Sequence, residues 1–412
     1  MEKLLVIRDT DDGEVYRAGP PMATSNRWRK AKARFELELV DAGAEADARA
    51  DKAVKAFARP MPLRLIAPLE TDQATRTQQV KAAVDAGVAW GVDTICGSAP
   101  DYSGKGVTVA VLDTGIDRKH IAFDDPTLEI IEKDFTGTGN GDSNGHGTHC
   151  AGTIFGRPVN GTRIGVAPGI QKALIGKVVA GSSGTEALVD GFVWALEQGA
   201  NVISMSLGFD FPTYREWLVK RGYAPEAATS QALDSFMDNI RLFDTLLELN
   251  RSQEAFGRSA VVVAAAGNES GRDAPKPYVI QRSSPSAATG VISVGAVMAT
   301  SGGLKIAPFS NSNPILVGPG VGIVSAGKVK GTKRDTLESM DGTSMACPHV
   351  AGPAALYWQA ADKPDRTASQ IAERVRQSCR RDLITYEEAA IADIGRGLAM
   401  APMMPAKPVP KK

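Results

Sequence analysis

The chain has 412 residues, of which 43% are hydrophobic and 23% charged, and glycine fills 42 positions. Those proportions belong to a globular chain and exclude collagen, bulk disorder and coiled coil. Lys plus Arg and Asp plus Glu stand at 47 each, a net charge of +0, so no overall field favours a polyanion and no nucleic-acid partner is expected.

The first 84 residues read differently from the rest. Strands are predicted at Leu4–Arg8 and Phe35–Val40. Between them lie Pro20, Pro21 and the basic run Arg27–Arg34, whose only aromatic is Trp28 and which reads as a solvated face. A helix is predicted over Ala46–Phe57, then a strand over Met61–Leu69 broken by Pro62 and Pro68. Glu70–Ala83 is polar and reads as a linker, so 1–84 is expected to be an N-terminal accessory unit, either removed or shielding the site.

From 85 to 400 the pattern alternates. Val107–Leu112, Leu174–Val179, Asn201–Leu207, Ala260–Ala266 and Val291–Val297 are near-continuously apolar, as parallel strands covered on both faces are. Thr185–Gln198 reads as a helix closed by Gly199. Strand–helix alternation predicts an α/β layered domain with a mainly parallel central sheet. Roughly fifty residues follow Gly208 before the next strand. Leu233, Phe236, Met237, Ile240, Phe243, Leu246 and Leu247 recur at helical spacing there, between Pro225 and Gly257. A long helix within an insertion at 209–257 is predicted, as a wall or lid of the site, as a dimer surface, or as a plain extension of the core away from substrate. Ala401–Lys412 reads as a loose tail rich in Pro and Lys.

No apolar run reaches the roughly 18 residues of a membrane helix, so no membrane partner is expected. The apolar stretch Leu4–Ile7 is too short for an export signal, and a cytoplasmic location is expected. The cysteines Cys96, Cys150, Cys347 and Cys379 are widely spaced and read as free thiols.

Three glycine-framed clusters hold the reactive groups. In VAVLDTGID (109–117) a buried strand ends on Asp113, which could orient an imidazole, bind a metal or form a turn. In NGHGTHCAGT (144–153) stand His146 and His149, two of only four histidines, and a general base near neutral pH is expected from here. Those two and Cys150 also admit a metal reading, although no second ligand cluster of zinc spacing accompanies them. In DGTSMACPHVAG (341–352) Ser344 opens a helix, where N–H donors and the dipole favour an oxyanion, or where it simply caps the helix.

Together, in the order Asp, His, Ser, the clusters are specific. With NVISMSLG (201–208), VVVAAAGNE (261–269), GVAP (165–168) and VISVGAV (291–297), residues 85–400 strongly resemble the subtilisin-like serine proteases, the subtilases. The resemblance implies a three-layer αβα fold of the subtilisin type and a serine endopeptidase acting through an acyl-enzyme on peptide or protein substrates. It implies Ser344 as nucleophile, His146 as base and Asp113 as its orienting partner. It implies Asn268 as oxyanion donor beside the Ser344 N–H. Ser206, Leu207 and Gly208 are implied as one edge of the substrate cleft, Gly181 and Gly184 as part of the other, and Ser283 at the base of the pocket for the residue before the scissile bond. No acidic residue matches there, so that residue is expected to be apolar. His120, His149 and His349 are expected to serve packing, and Cys150 and Cys347 to be small buried hydrophobes. A silent binding module, and an ester hydrolase or a metal enzyme, remain as other functional readings.

The chain departs from the family pattern in four places. An acidic calcium ligand shortly after the catalytic Asp corresponds to Ala122, and the loop Arg157–Arg163 that would supply further ligands is not acidic. No cofactor is therefore expected, calcium included. An export signal is missing, 1–84 does not closely match the family prosegment, and the insertion is long. Oligomeric state is not legible.

Overall fold

The computed structural model describes residues 3–9, 35–41, 43, 45–97, 102–181, 183–361, 366–386 and 391–403. The prolines at 20 and 21, the basic run Arg27–Arg34 and the end of the tail lie outside the described residues. By its contacts the chain divides into two units, Met1–Met61 with Phe211–Leu246, and Pro62–Asp210 with Leu247–Lys412.

The first unit opens with strand β1 (Lys3–Asp9), which pairs antiparallel with β2 (Phe35–Asp41) and with β3 (Val54–Ala58) in the order β2-β1-β3. Leu4 and Val6 bury against Ala48 of helix α1 (Glu45–Ala50). The predicted helix Ala46–Phe57 is therefore only half correct. Asp51 accepts the Ala53 N–H at 2.8 Å, which turns the chain, and Val54 to Ala58 then bury alternate residues as a strand does.

The second unit begins with β4 (Leu63–Leu65), a short strand between Pro62 and Pro68 in place of the longer one predicted over Met61–Leu69, since neither proline can donate to a ladder. Glu70–Ala83 is not the expected linker, because it leads into helix α2 (Gln73–Ala86). Asp72 caps it by accepting the Thr75 N–H at 2.9 Å, and Gly87 closes it at φ 70°. Its few apolar residues leave no periodic stripe to read. Then come α3 (Trp90–Cys96), β5 (Thr108–Asp113), β6 (Glu129–Asp134), α4 (His146–Phe155), β7 (Lys172–Lys177), α5 (Thr185–Glu197), β8 (Val202–Met205) and β9 (Leu207–Phe209).

The insertion returns to the first unit with α6 (Phe211–Lys220) and most of α7 (Pro225–Ser252). The long helix stands where it was predicted, and the second half of the predicted stripe, Phe243, Leu246 and Leu247, is buried, but the first half turns differently. Leu233 and Met237 are exposed, while Ala228, Ala232, Ser235 and Asn239 are buried. Met61, Tyr214 and Leu218 pack against those two alanines. Asn239 donates to the Arg59 carbonyl at 2.8 Å, a backbone partner that no apolar residue could satisfy.

The second unit resumes with β10 (Val261–Ala265), β11 (Ile292–Thr300), β12 (Gly303–Ile306), β13 (Leu316–Pro319), β14 (Ile323–Ala326), β15 (Leu337–Met340), α8 (Thr343–Ala360) and α9 (Ala368–Gln377). Its main sheet runs β12-β11-β10-β8-β5-β7-β6, with β13 also on β11, and every pairing but β11–β12 is parallel. Val109, Val111, Val202 and Val263 are buried in one core with Ile154 and Phe155 of α4 and Val350 of α8. This is the layered α/β architecture read from the sequence, and it packs α4 against both β5 and α8.

Candidate active site

Asp113 ends β5, in the interior of the sheet. Its Oδ1 accepts from Thr114 N and from His146 Nδ1, each at 2.7 Å. His146 is the first residue of α4, and the turn before it folds around Asp142. That carboxylate accepts from Asn144 N, Gly145 N, Thr148 N and Thr148 Oγ1 at 2.7–3.0 Å. At Gly147 a Cβ would lie 2.2 Å from the Gly115 carbonyl oxygen, so only glycine lets the helix come this close to β5. Asp113 and His146 are both buried. Burial works against the imidazolium, but the charge and hydrogen bond of Asp113 outweigh it, and His146 is held above its ordinary value.

Ser344 stands in the first turn of α8. Thr343 N and Thr343 Oγ1 both donate to Asn268 Oδ1 at 2.8 Å, and Gly267 N donates to Thr343 Oγ1 at 3.1 Å. The Asn268 amide is thus fixed by its oxygen, and its Nδ2 remains for another acceptor. Cys150 Sγ lies 3.9 Å from His146 Nδ1 and 3.5 Å from the Ser344 carbonyl, which puts the histidine and the serine around one thiol. Burial pushes that thiol well above its ordinary pKa, with the Asp113 charge adding to the effect, so it stays protonated. His149 Nε2 hydrogen-bonds the carbonyls of Ile323 and Glu338, and burial lowers it to about 3. His349 hydrogen-bonds Met345 O and burial lowers it to about 4, while His120 hydrogen-bonds Thr336 O.

A strand of the same chain runs between these groups. β4 lies antiparallel on β9, with Leu63 opposite Phe209, Arg64 opposite Gly208 and Leu65 opposite Leu207. On its other side Leu63 N donates to Ser183 O at 3.0 Å, and Pro62 bridges Gly184. Ile66 N donates to Ser206 O at 3.4 Å. Ser344 Oγ donates to the Ile66 carbonyl at 2.7 Å, and Asn268 Nδ2 to the next carbonyl, of Ala67, at 2.9 Å. Leu69 N then donates to Asp341 O at 2.9 Å. Among the described residues, His146 Nε2 is buried with no hydrogen-bond partner. Ser206 Oγ also donates to Ser344 O at 3.1 Å, which ties the edge of the groove to the serine. Gly184, Ser206, Leu207 and Gly208 thus border the strand. Gly181 takes no part in the pairing, and Ser283 lies behind Gly208, its Oγ 3.4 Å from where a Cβ would be. The sequence did carry a sign of this strand in the alternation Leu63, Arg64, Leu65 between two prolines, but not of its destination.

The family's calcium does not fit the residues present. Ala122 is buried and offers no side-chain ligand. Arg157 donates to Asp125 Oδ2 (2.6 Å), Phe155 O (3.1 Å) and Ile170 O (2.9 Å), so a guanidinium takes up oxygens there. That hydrogen bond holds the Asp125 carboxyl down at about 2. Arg163 donates to the carbonyls of Gly165 and Val166.

This layered fold, with an aspartate, a histidine and a serine gathered at one end of its sheet, is that of a subtilisin-like protein. The model of the subtilase family matches residues 104–390, and the chain belongs to that family. It is 34% identical over 297 residues to a cuticle-degrading serine protease of Arthrobotrys oligospora, a match covering 66% of this chain and 59% of that one. It is 32% identical over 320 residues to an extracellular serine proteinase of a Thermus species, covering 74% and 64%. The chain thus spans less than two thirds of the length of these relatives. The crystal structure of fervidolysin from Fervidobacterium pennivorans, a keratinolytic enzyme related to subtilisin, superposes with a TM-score of 0.65. It has 23% identity and covers 97% of this chain and 60% of that one, a likeness of fold. The cytoplasmic expectation does not stand. It rested on a short apolar stretch at the N-terminus, and a relative matching most of this chain is an extracellular enzyme.

Proposed function

We propose that the chain is a serine endopeptidase that hydrolyses peptide bonds in peptide or protein substrates through an acyl-enzyme. The observation that carries this reading is the 2.7 Å bond from His146 to Asp113 beside a serine at a helix N-terminus. In this reading Ser344 Oγ attacks the scissile carbonyl as His146 Nε2 takes its proton, and His146 then protonates the leaving amine. Asp113 Oδ1 keeps the Nδ1 proton in place, which leaves Nε2 as the basic nitrogen, and stabilises the imidazolium. Asn268 Nδ2 and the Ser344 N–H stabilise the oxyanion. The groove edges Ser183–Gly184 and Ser206–Gly208 hold the substrate as an added strand.

In the same reading residues 62–71 stay attached and shield the cleft. The support is the mismatch of atoms. Ser344 Oγ donates to the Ile66 carbonyl oxygen, Asn268 holds the following carbonyl instead of that one, and among the described residues His146 Nε2 has no hydrogen-bond partner. The Ile66–Ala67 bond is thus occupied but not presented for attack. Hydrolysis of a fluorogenic peptide tests the function. Replacing Ser344 or His146 by Ala should lower kcat by on the order of 10⁶-fold, the size of loss in subtilisin. Retention of more than a few per cent of activity would refute the assignment.

A further inference from the structure

We propose that Glu269 selects peptides carrying a basic residue at the third position before the scissile bond, an inference that rests on the endopeptidase reading and names its substrate class. Glu269 follows Asn268 directly. Its Oε2 accepts from Asn311 Nδ2 at 2.6 Å. Asn311 is fully buried, and its Oδ1 accepts from Glu269 N and Ser270 N at 3.1 Å each. One buried side chain thus fixes both the backbone and the carboxylate of Glu269, so the carboxylate is oriented in advance.

The other oxygen, Oε1, meets Arg64 Nη2 of the strand in the cleft. Arg64 lies opposite Gly208, and two residues further on Ile66 lies against Ser344. Arg64 is therefore the third residue before the Ile66–Ala67 bond. A substrate pairing with β9 in the same register would set its third residue at the same place, where Gly208 adds no side chain to the groove. Leu63 and Ile66 of the strand are buried, so the fourth position and the position before the bond take apolar side chains. Arg64 and Glu269 keep 36% and 30% of their side-chain exposure, which limits the attraction to about a three- to tenfold preference. An acidic residue at that position would face the Glu269 carboxylate and be disfavoured.

The test compares two fluorogenic peptides that differ only in Arg or Glu at the third position before the cleaved bond. The full chain and its Arg64→Glu variant are both used, since the new charge repels the segment from Glu269. The expected result is a kcat/KM about three- to tenfold higher for the Arg peptide. Glu269→Lys should reverse the order. Glu269→Gln, which keeps an acceptor for Asn311, should bring the ratio close to one. Equal rates with an active enzyme, or a ratio indifferent to both replacements of Glu269, would overturn the inference. No cleavage of either peptide together with a Ser344 that does not react with a fluorophosphonate would instead defeat the endopeptidase reading.

Discussion

Ser344 and Ile66 meet through a hydroxyl and a carbonyl oxygen 2.7 Å apart, a contact that ties up the serine proton without starting chemistry. In the proposed mechanism attack needs that proton to pass to His146 Nε2, and among the described residues this nitrogen has no hydrogen-bond partner. The occupied cleft and the unused base are two sides of one arrangement.

Loosening the segment should therefore release activity. Leu63→Ala with Ile66→Ala removes two buried side chains that hold the strand in the groove. Each truncation forfeits on the order of 2 kcal/mol of burial. Hydrolysis of a short peptide should rise at least tenfold over the unaltered chain. An unchanged rate in a folded variant would show that the segment does not limit access.

Asn268 engages two partners with two atoms. Its Oδ1 accepts from Thr343, and its Nδ2 donates to the Ala67 carbonyl in the cleft. Asn268→Asp keeps the acceptor and deletes the donor. The rate should fall about 10²–10³-fold while the melting temperature changes little. A large fall in melting temperature with the rate per folded molecule preserved would point to a structural role alone.

The pH profile follows from the sign of the His146 shift. Burial lowers the pKa and Asp113 raises it by more, so the folded value lies above the ordinary imidazole value of about 6.5. The base works only when neutral, so kcat/KM should rise with pH, with its midpoint above 6.5. Departure of the segment would expose the ring, weaken the opposing burial and move the midpoint further up. In Asp113→Asn the raising charge is gone and the midpoint of any residual activity should fall.

Chelation should leave stability unchanged. Arg157 already binds Asp125 and two carbonyl oxygens in the loop where relatives of this family would be expected to hold calcium. Melting curves with and without EGTA should coincide, whereas Arg157→Ala should lower the melting temperature by leaving those oxygens unpaired. A large drop with EGTA would reveal a calcium site elsewhere in the chain.

Much of the second unit was legible because each strand of its core is an apolar run, and the clusters around Asp113, His146 and Ser344 carry their glycines with them. Only half of the face of α7 was legible, since Phe243, Leu246 and Leu247 are buried as their spacing predicts. Period alone marks Leu233 and Met237, yet the helix buries Ala232 and Asn239, because close packing and a backbone acceptor decide which side turns inward. The strand β3 was hidden inside a helical composition until Asp51 turned the chain. The path of Pro62–Leu69 was illegible for another reason. Its partners, Ser206, Asn268 and Ser344, lie far along the chain, and no local pattern encodes so distant a pairing.

Covalent labelling with a fluorophosphonate tests the central claim most directly, because the reagent reports an activated serine whether or not a peptide can enter. The full chain, the Leu63→Ala/Ile66→Ala variant and the Ser344→Ala variant are labelled in parallel, and the modified residue is located by mass spectrometry. A serine protease with a self-occupied cleft requires label on Ser344 alone, faster in the loosened variant and absent from Ser344→Ala. A folded, loosened variant that takes no label, or takes it at another residue, would contradict it.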